Sequence, residues 1–266
     1  MKISFHILIV LAGFNFSFGQ KLQVFDSIQL NRNGQITDFA TDEFNGIYFI
    51  QNSMELNKID FKTKKISTFS NRTVLEDLNT QNVLQITVKS GFFKLLLLDN
   101  QLNIVQDAVS LIESPDFSPI LTALVDTNYL WGYDPVLQRL VLWNYREKTI
   151  FRQSVILNDK TSEEFFSELI YDKGKIYLVG KNKILKFDDY ANLKKVIPIS
   201  SHTQIQILSD WAYYTNEGEL FRLNLKTEKL EKLEITKNFD YFSINPSYLF
   251  VLKDKLVYIY PLQKTY

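Results

Sequence analysis

The sequence predicts an all-β fold, a closed ring of six four-stranded blades, on three observations. First, the chain holds 21 Phe and 14 Tyr but only 9 Gly and 6 Pro, and aromatic side chains fit a pleated, half-buried surface. Second, one pattern recurs: an alternating apolar segment ending in Asp or Asn, a polar turn, then another alternating segment. Third, the landmark positions Asp60, Asp99, Asn144, Asp188, Asn224 and Tyr260 are spaced by 39, 45, 44, 36 and 36 residues. A strand-only period of about 40 residues is that of a six-bladed β-propeller, one four-stranded blade per repeat.

The elements follow in chain order. Met1-Lys2, the apolar stretch Ile3 to Phe16 and the small residues Ser17 and Gly19 have the layout of a secretory signal peptide over 1–19, cut before Gln20. That stretch is shorter than the roughly 18–20 residues a membrane span needs. The remaining 20–266 read as a single domain of 247 residues, with 29 basic and 30 acidic side chains. Near neutrality argues against nucleic acid or an anionic membrane surface as the main partner. The chain has no cysteine, so stability must come from core burial rather than disulfides, and a cysteine-linked lipid anchor is excluded at the cleavage site.

Each clear repeat supplies two strands. These are LNKID with ISTF, KLLLLD with LNIVQDAV, RLVLWN with TIFRQSVI, KILKFD with LKKVIPI, and LFRLN with LEKLEI. The last of these, LFRLNLKTEKLEKLEI (220–235), has the Lys, Glu and Leu content of a helix. Its sister copies cannot be helices, so it reads as strand, turn and a charged outer edge strand. Charges on such an edge discourage pairing with other chains.

Two further strands precede each copy: ITDFAT and GIYFIQ, LTALVD and YLWGYD, SELIYD and KIYLVG, QIQILS and WAYYTN, DYFSIN and YLFVLK. In the second unit LQITVK is clear and TVLEDL is the candidate inner strand; a five-bladed ring follows if this unit is an insertion. Turn signals such as Glu43-Phe44-Asn45-Gly46, Asp172-Lys173-Gly174 and Asn216-Glu217-Gly218 fall between strands. The sixth unit, KLVYIY, lacks an outer strand, and LQVFDSIQL (22–30) can complete it. The blades are thus expected over about 36–70, 73–112, 119–157, 165–199, 203–236, and 240–262 with 21–30.

The polar residues are read against this frame of strands and turns. The Asp/Asn landmarks sit beside turns, where a short acceptor bonds nearby N–H groups. Asp42, Asp126, Asp172 and Asp210 form a second turn ladder. His202 is the only histidine once His6 leaves with the leader; without Cys or a second His it makes a poor zinc site. Ser201 and His202, adjacent in an extended segment, point to opposite faces. Thr161-Ser162-Glu163-Glu164 has capping-box spacing, which makes TSEEFFSEL a candidate surface helix and gives Glu163, Glu164 and Glu168 a bland role. No phosphate-binding glycine loop or calcium loop occurs. No catalytic residue, cofactor site or metal ligand is therefore assigned.

The binding signal lies in the third unit. Trp131, Tyr133, Trp143 and Tyr145 cluster near Arg139 and Arg146, and Trp, Tyr and Arg dominate interface hot spots. The two tryptophans are expected between blades. Tyr133, Arg139, Tyr145 and Arg146 are the candidate partner contacts, with Tyr133 expected to be exposed. The connections 71–81, 112–119 and 157–165 are the other surfaces on which function would concentrate.

The pattern apolar-x-apolar-Asp-x-x-Thr-x-Lys, clearest in DFKTK (60–64) and NLKTEK (224–229), resembles that of generic secreted bacterial β-propellers. The Trp-Asp dipeptide of WD40 blades and the paired glycine of kelch blades are absent. The leader's Phe-Gly-Gln ending resembles export signals of Bacteroidota. A repeat that consumes the chain, the lack of a recognisable catalytic set and irregular inter-blade loops point to a non-enzymatic scaffold, and the resemblance implies that it is exported, periplasmic or secreted. Its protein partner would belong to a cell-envelope complex such as a type IX secretion machine, without direct membrane insertion. The alternative is an enzyme or carbohydrate-binding propeller with its site in the central channel. Carboxylates converging on that channel would favour the alternative; an exposed apolar patch would favour a protein partner.

Overall fold

The computed structural model describes residues 20–30, 33–82, 84–112, 117–157, 165–235 and 238–262. The expected leader, 1–19, lies outside them. Six antiparallel sheets follow one another along the chain, five of four strands and one whose four strands are joined by a fifth, parallel one. Blade 1 is β3 (Ile36–Thr41), β4 (Ile47–Gln51), β5 (Glu55–Ile59) and β6 (Ile66–Ser70). Blade 2 is β7 (Leu75–Asn79), β8 (Ile86–Ser90), β9 (Lys94–Leu98) and β10 (Val109–Ser110). Blade 3 is β11 (Leu121–Leu124), β12 (Tyr129–Asp134), β13 (Arg139–Asn144) and β14 (Thr149–Gln153). Blade 4 is β15 (Phe166–Asp172), β16 (Lys175–Gly180), β17 (Lys183–Asp188) and β18 (Leu193–Pro198). Blade 5 is β19 (Ile205–Leu208), β20 (Trp211–Asn216), β21 (Glu219–Asn224) and β22 (Leu230–Glu234). Blade 6 is β23 (Tyr241–Ile244), β24 (Tyr248–Lys253) and β25 (Leu256–Pro261), completed by β2 (Asp26–Gln29) from the start of the chain.

Alternation explains why the middle strands are apolar throughout. In β12 and β13, Trp131, Tyr133, Leu140 and Leu142 face blade 4, while Leu130, Val141 and Trp143 face blade 2. A strand covered on both faces needs apolar residues at every position. Six such cores, one between each adjacent pair of blades, hold the ring. The core joining blade 6 to blade 1 contains Ile28 and Leu30 from the N-terminal segment with Phe39, Phe49, Phe250 and Val257.

The N-terminal segment does more than complete blade 6. Before reaching β25, β1 (Gln20–Lys21) pairs in parallel with β22, setting Gln20 opposite Leu233 and Lys21 opposite Glu234. Leu22 then enters the core between blades 5 and 6. The strap therefore crosses from one blade to the next. It also covers part of β22, which the sequence presented as an open edge. The helix-like charges of this region form cross-strand pairs instead: Arg222 with Glu231 at 2.6 Å and Lys232 with Glu219 at 2.6 Å.

Two other expectations change. The outer strand of blade 2 was expected over LNIVQDAV; only Val109–Ser110 pairs with β9, with a single bridge between Leu98 and Ile104. The proposed helix over TSEEFFSEL fails from Phe166 onward, because Phe166 to Asp172 is β15. Phe166 and Leu169 are drawn into the core against blade 3, and tertiary burial outweighs a local capping pattern. Thr161 to Glu164 lie outside the described residues.

Candidate functional site

The two ends of the ring differ in chemistry. Each blade runs from its innermost to its outermost strand, so the turns between second and third strands share one face with the blade-to-blade connections. On blades 4, 5 and 6 these turns carry Lys181-Asn182, Glu217-Gly218 and Asp254-Lys255, and on blade 1 Asn52-Ser53-Met54, with Met54 exposed. On blades 2 and 3 they are apolar: Phe92-Phe93 and Val136-Leu137, with Phe92 82% and Val136 87% exposed. The connections beside them extend the patch. Leu111 N–H donates to Phe93 O at 2.8 Å, which sets exposed Ile112 next to the phenylalanines. Leu157 N–H donates to Gln138 O at 3.0 Å, which sets exposed Val155 and Ile156 next to Val136-Leu137. Phe165, also exposed, precedes β15 on the same face.

The opposite face is built mainly of side-chain-capped turns, with Phe44, Leu84 and Tyr190 exposed among them. Asp60 Oδ1 accepts from Lys62 and Thr63 N–H at 3.1 and 2.7 Å. Asp99, Asn144, Asp188 and Asn224 accept in the same manner two to four residues on. Hydrogen bonds from the Thr63 amide and hydroxyl hold the Asp60 carboxyl below its ordinary range. The landmark ladder is thus a set of turn caps, except Tyr260, which is buried in the core between blades 5 and 6. In the second ladder Asp42 and Asp126 are also caps. Asp210 differs, for it receives Lys175 of blade 4 at 2.9 Å and Lys226 at 2.6 Å. Burial raises the Asp172 carboxyl.

The predicted partner contacts do not form one surface. Tyr133, expected to be exposed, is only 4% exposed and packs edge-on against Phe166, ring centroids 5.2 Å apart. The reason is that both faces of a middle strand are covered by neighbouring blades. Tyr145 is buried likewise, with its hydroxyl 3.4 Å from Asp126 O. Arg139 is part-buried, and its Nη1 donates to Gln153 at 3.1 Å. Arg146 is exposed, but at the opposite end of β13 from Arg139. Trp131 and Trp143 are buried between blades. His202 lies between blades 4 and 5, edge-on to Tyr214 at 6.5 Å, and burial lowers its pKa.

A central channel of about 680 Å³ runs between the innermost strands. It gathers Asp38 of β3, Asp77 of β7, Lys89 of β8 and Glu168 of β15. Asp38 is held by its bonds from Leu78 N–H at 2.9 Å and Phe39 N–H at 2.7 Å. Lys89 ion-pairs with Asp77 and donates to Ile120 O at 2.9 Å, bridging blades 2 and 3. Glu168 follows an irregularity in the pairing of β15 between Phe166 and Glu168. Burial, with the charges of Asp77 and Asp38 adding to it, raises the Glu168 pKa to about 8; burial raises Asp38 to about 6. Among the described residues no group of three or more His, Cys, Asp or Glu could hold a metal ion, and no helix is long and apolar enough to cross a membrane.

No protein family and no curated protein matches the chain. Solved structures do, at low identity. A chain of the mitotic checkpoint complex matches with TM-score 0.59 and 8% identity over 99% of both chains. The β-propeller domain of Cps50 (Swd1) from Myceliophthora thermophila matches with TM-score 0.57 and 14% identity, over 86% of this chain and 84% of that one. The extracellular domain of a one component system from B. thetaiotaomicron matches with TM-score 0.55 and 10% identity, over 85% of this chain and 33% of that one. At these identities the likeness establishes the propeller fold.

Proposed function

We propose that this protein is a non-enzymatic, exported scaffold that binds a protein partner through the apolar turns of blades 2 and 3. The observation that carries this reading is the contrast between those turns and their polar counterparts on blades 4, 5 and 6. Exposed apolar side chains grouped on neighbouring turns are characteristic of a protein–protein contact, and loops on a rigid frame are where binding concentrates. Buried Tyr133 supports the patch from beneath, while buried Tyr145 lies at the other end of the blade; neither touches the partner. The leader-like residues 1–19 suit a periplasmic or secreted subunit of a bacterial envelope complex, with an outer-membrane secretion or assembly machine, type IX included, as its setting.

The test is affinity isolation from detergent-solubilised envelopes of the producing cells, comparing wild type with Phe92→Asp/Val136→Asp. Exposed turn substitutions of this kind change stability by only about 0.5 kcal/mol, so both proteins fold. Wild type is expected to retain a reproducible partner that the double variant loses, while Lys62→Asp on the opposite face retains it. A solitary wild-type protein, or a double variant that keeps the same partner, refutes the reading. A second reading, a ligand in the central channel, is favoured by the meeting of Asp38, Asp77 and Glu168 there.

A further inference from the structure

The polar groups of the channel are unevenly used. Lys89 is committed to Asp77 and to Ile120 O. The channel-lining amides of Gln204 and Gln206 stitch blade 5 to blade 6, accepting from Phe242 N–H at 3.1 Å and Ile244 N–H at 2.8 Å. The carboxyl groups of the lining, Asp38, Glu43, Asp77, Glu168 and Asp172, outnumber its ammonium groups, Lys89 and Lys173. Glu168 has no hydrogen bond or ion pair among the described residues. Thr87, on the same face of β8 as Lys89, is 5% exposed, lines the channel, and its hydroxyl has no partner among the described residues. A hydroxyl that opens on the channel without a protein partner is free to bond what enters it.

This excess of carboxyl groups over cations selects a ligand that donates and is positive. An anion would face Asp38, Glu43 and Asp77. The carboxyls are not grouped as a metal site. We infer that the channel binds an organic cation, a primary ammonium or guanidinium on a slender aliphatic chain. Glu168 is its carboxylate partner, Asp38 and Thr87 are further acceptors, and Leu95 and Leu121 form an apolar wall. The volume of the channel, about 680 Å³, lies within the range of small-molecule sites. Such a cation is either a free polyamine or a Lys or Arg side chain of a protein. The inference does not rest on the apolar turns as a docking surface.

Proton coupling gives this site a distinctive signature. With its pKa raised to about 8, Glu168 is neutral at pH 7 in the empty channel. The groups that share the channel with it are Asp38 of β3, Glu43 of the turn after it, Asp77 of β7, Lys89 of β8 and Tyr241 of β23, with Tyr171, Asp172 and Lys173 at the far end of its own segment. An incoming cation favours the carboxylate, so binding at pH 7 releases a proton, and affinity rises as pH approaches and passes 8.

Titration calorimetry of the intact chain tests this, with spermidine and with a lysine-containing peptide as probes. Measurements at pH 7 in two buffers of different ionisation enthalpy read the proton released. Glu168→Gln is expected to weaken binding about tenfold and to abolish proton release. Thr87→Val, which leaves every charge in place, is expected to weaken binding about fivefold and to keep the proton release. Tighter binding of spermidine supports a free amine as the ligand, and tighter binding of the peptide supports a side chain of a partner. Absence of binding by both probes overturns the inference. So does binding to both variants that matches wild type in affinity and proton release.

Discussion

The side-chain amide of Asn245 in blade 6 donates to the carbonyl of Asp42 in blade 1 at 3.0 Å, closing the ring between residues 203 apart in sequence. The same amide donates to Asn45 Oδ1 at 2.7 Å, while Asn245 Oδ1 accepts from Ser247 and Tyr248 N–H at 2.9 and 2.8 Å. Asp126 performs the turn-capping half of this role in blade 3. The donor half requires an amide.

Asn245→Asp is therefore expected to destabilise by about 1–3 kcal/mol, because it keeps the cap but sets an acceptor against one buried and one part-buried acceptor. Asn224→Asp is the matched control, since Asn224 only accepts, from Lys226 and Thr227 N–H. That change is expected to stay within about 0.5 kcal/mol. Urea unfolding of the two variants checks the pair, and equal losses would remove the ring-closing role.

The N-terminal strap should matter through its buried residues. Leu30 is 1% exposed in the core between blades 6 and 1, whereas Val24 on the same strap is 43% exposed. Leu30→Ala is expected to cost about 2–5 kcal/mol and Val24→Ala about 0.5 kcal/mol or less. Thermal unfolding distinguishes them; a neutral Leu30→Ala would mean that the strap does not hold the ring shut.

What was legible in the sequence was what is local or periodic. The caps at Asp60, Asp99, Asn144, Asp188 and Asn224 act within four residues, so sequence spacing reveals them. The copies of one blade likewise settle LEKLEI as a strand. Exposure at Tyr133 was not legible, because alternation assigns a residue to a side but cannot say that a blade covers both sides. The channel carboxyls were hidden because they come from three inner strands with no contiguous motif. One signal was available: Asp38 and Asp77 are 39 residues apart, the same interval as Asp60 and Asp99. Glu168 was masked by the capping-box pattern immediately before it.

Gly132 marks a close approach in blade 3. A Cβ there would lie 2.5 Å from Phe117 Cζ and 2.8 Å from Pro119 Cβ, on the connection that enters the blade. Gly132→Ala is expected to cost about 1–3 kcal/mol through overpacking, read as a lowered denaturant midpoint. Adding Phe117→Leu should recover part of that loss, since removing the clashing ring edge relieves the contact. A double variant less stable than the two single losses combined would contradict this account.

The channel also makes stability depend on pH with an unusual sign. Glu168 is raised from 4.5 to about 8, first by burial and then by the charges of Asp77 and Asp38. Below pH 4.5 the folded and unfolded chains both hold this proton. Between pH 4.5 and 8 only the folded chain holds it, so its contribution to stability falls as pH rises and levels off above 8. Asp38, raised to about 6 by burial, adds a loss of the same sign in a lower window. Glu168→Gln cannot ionise and escapes its share. Its melting temperature is expected to match wild type near pH 4.5 and to exceed it increasingly up to pH 8, by about 2–4 °C per kcal/mol of relief in a domain of this size. A difference between the two proteins that stays constant across this range would show that Glu168 does not titrate there, and that the channel does not desolvate it.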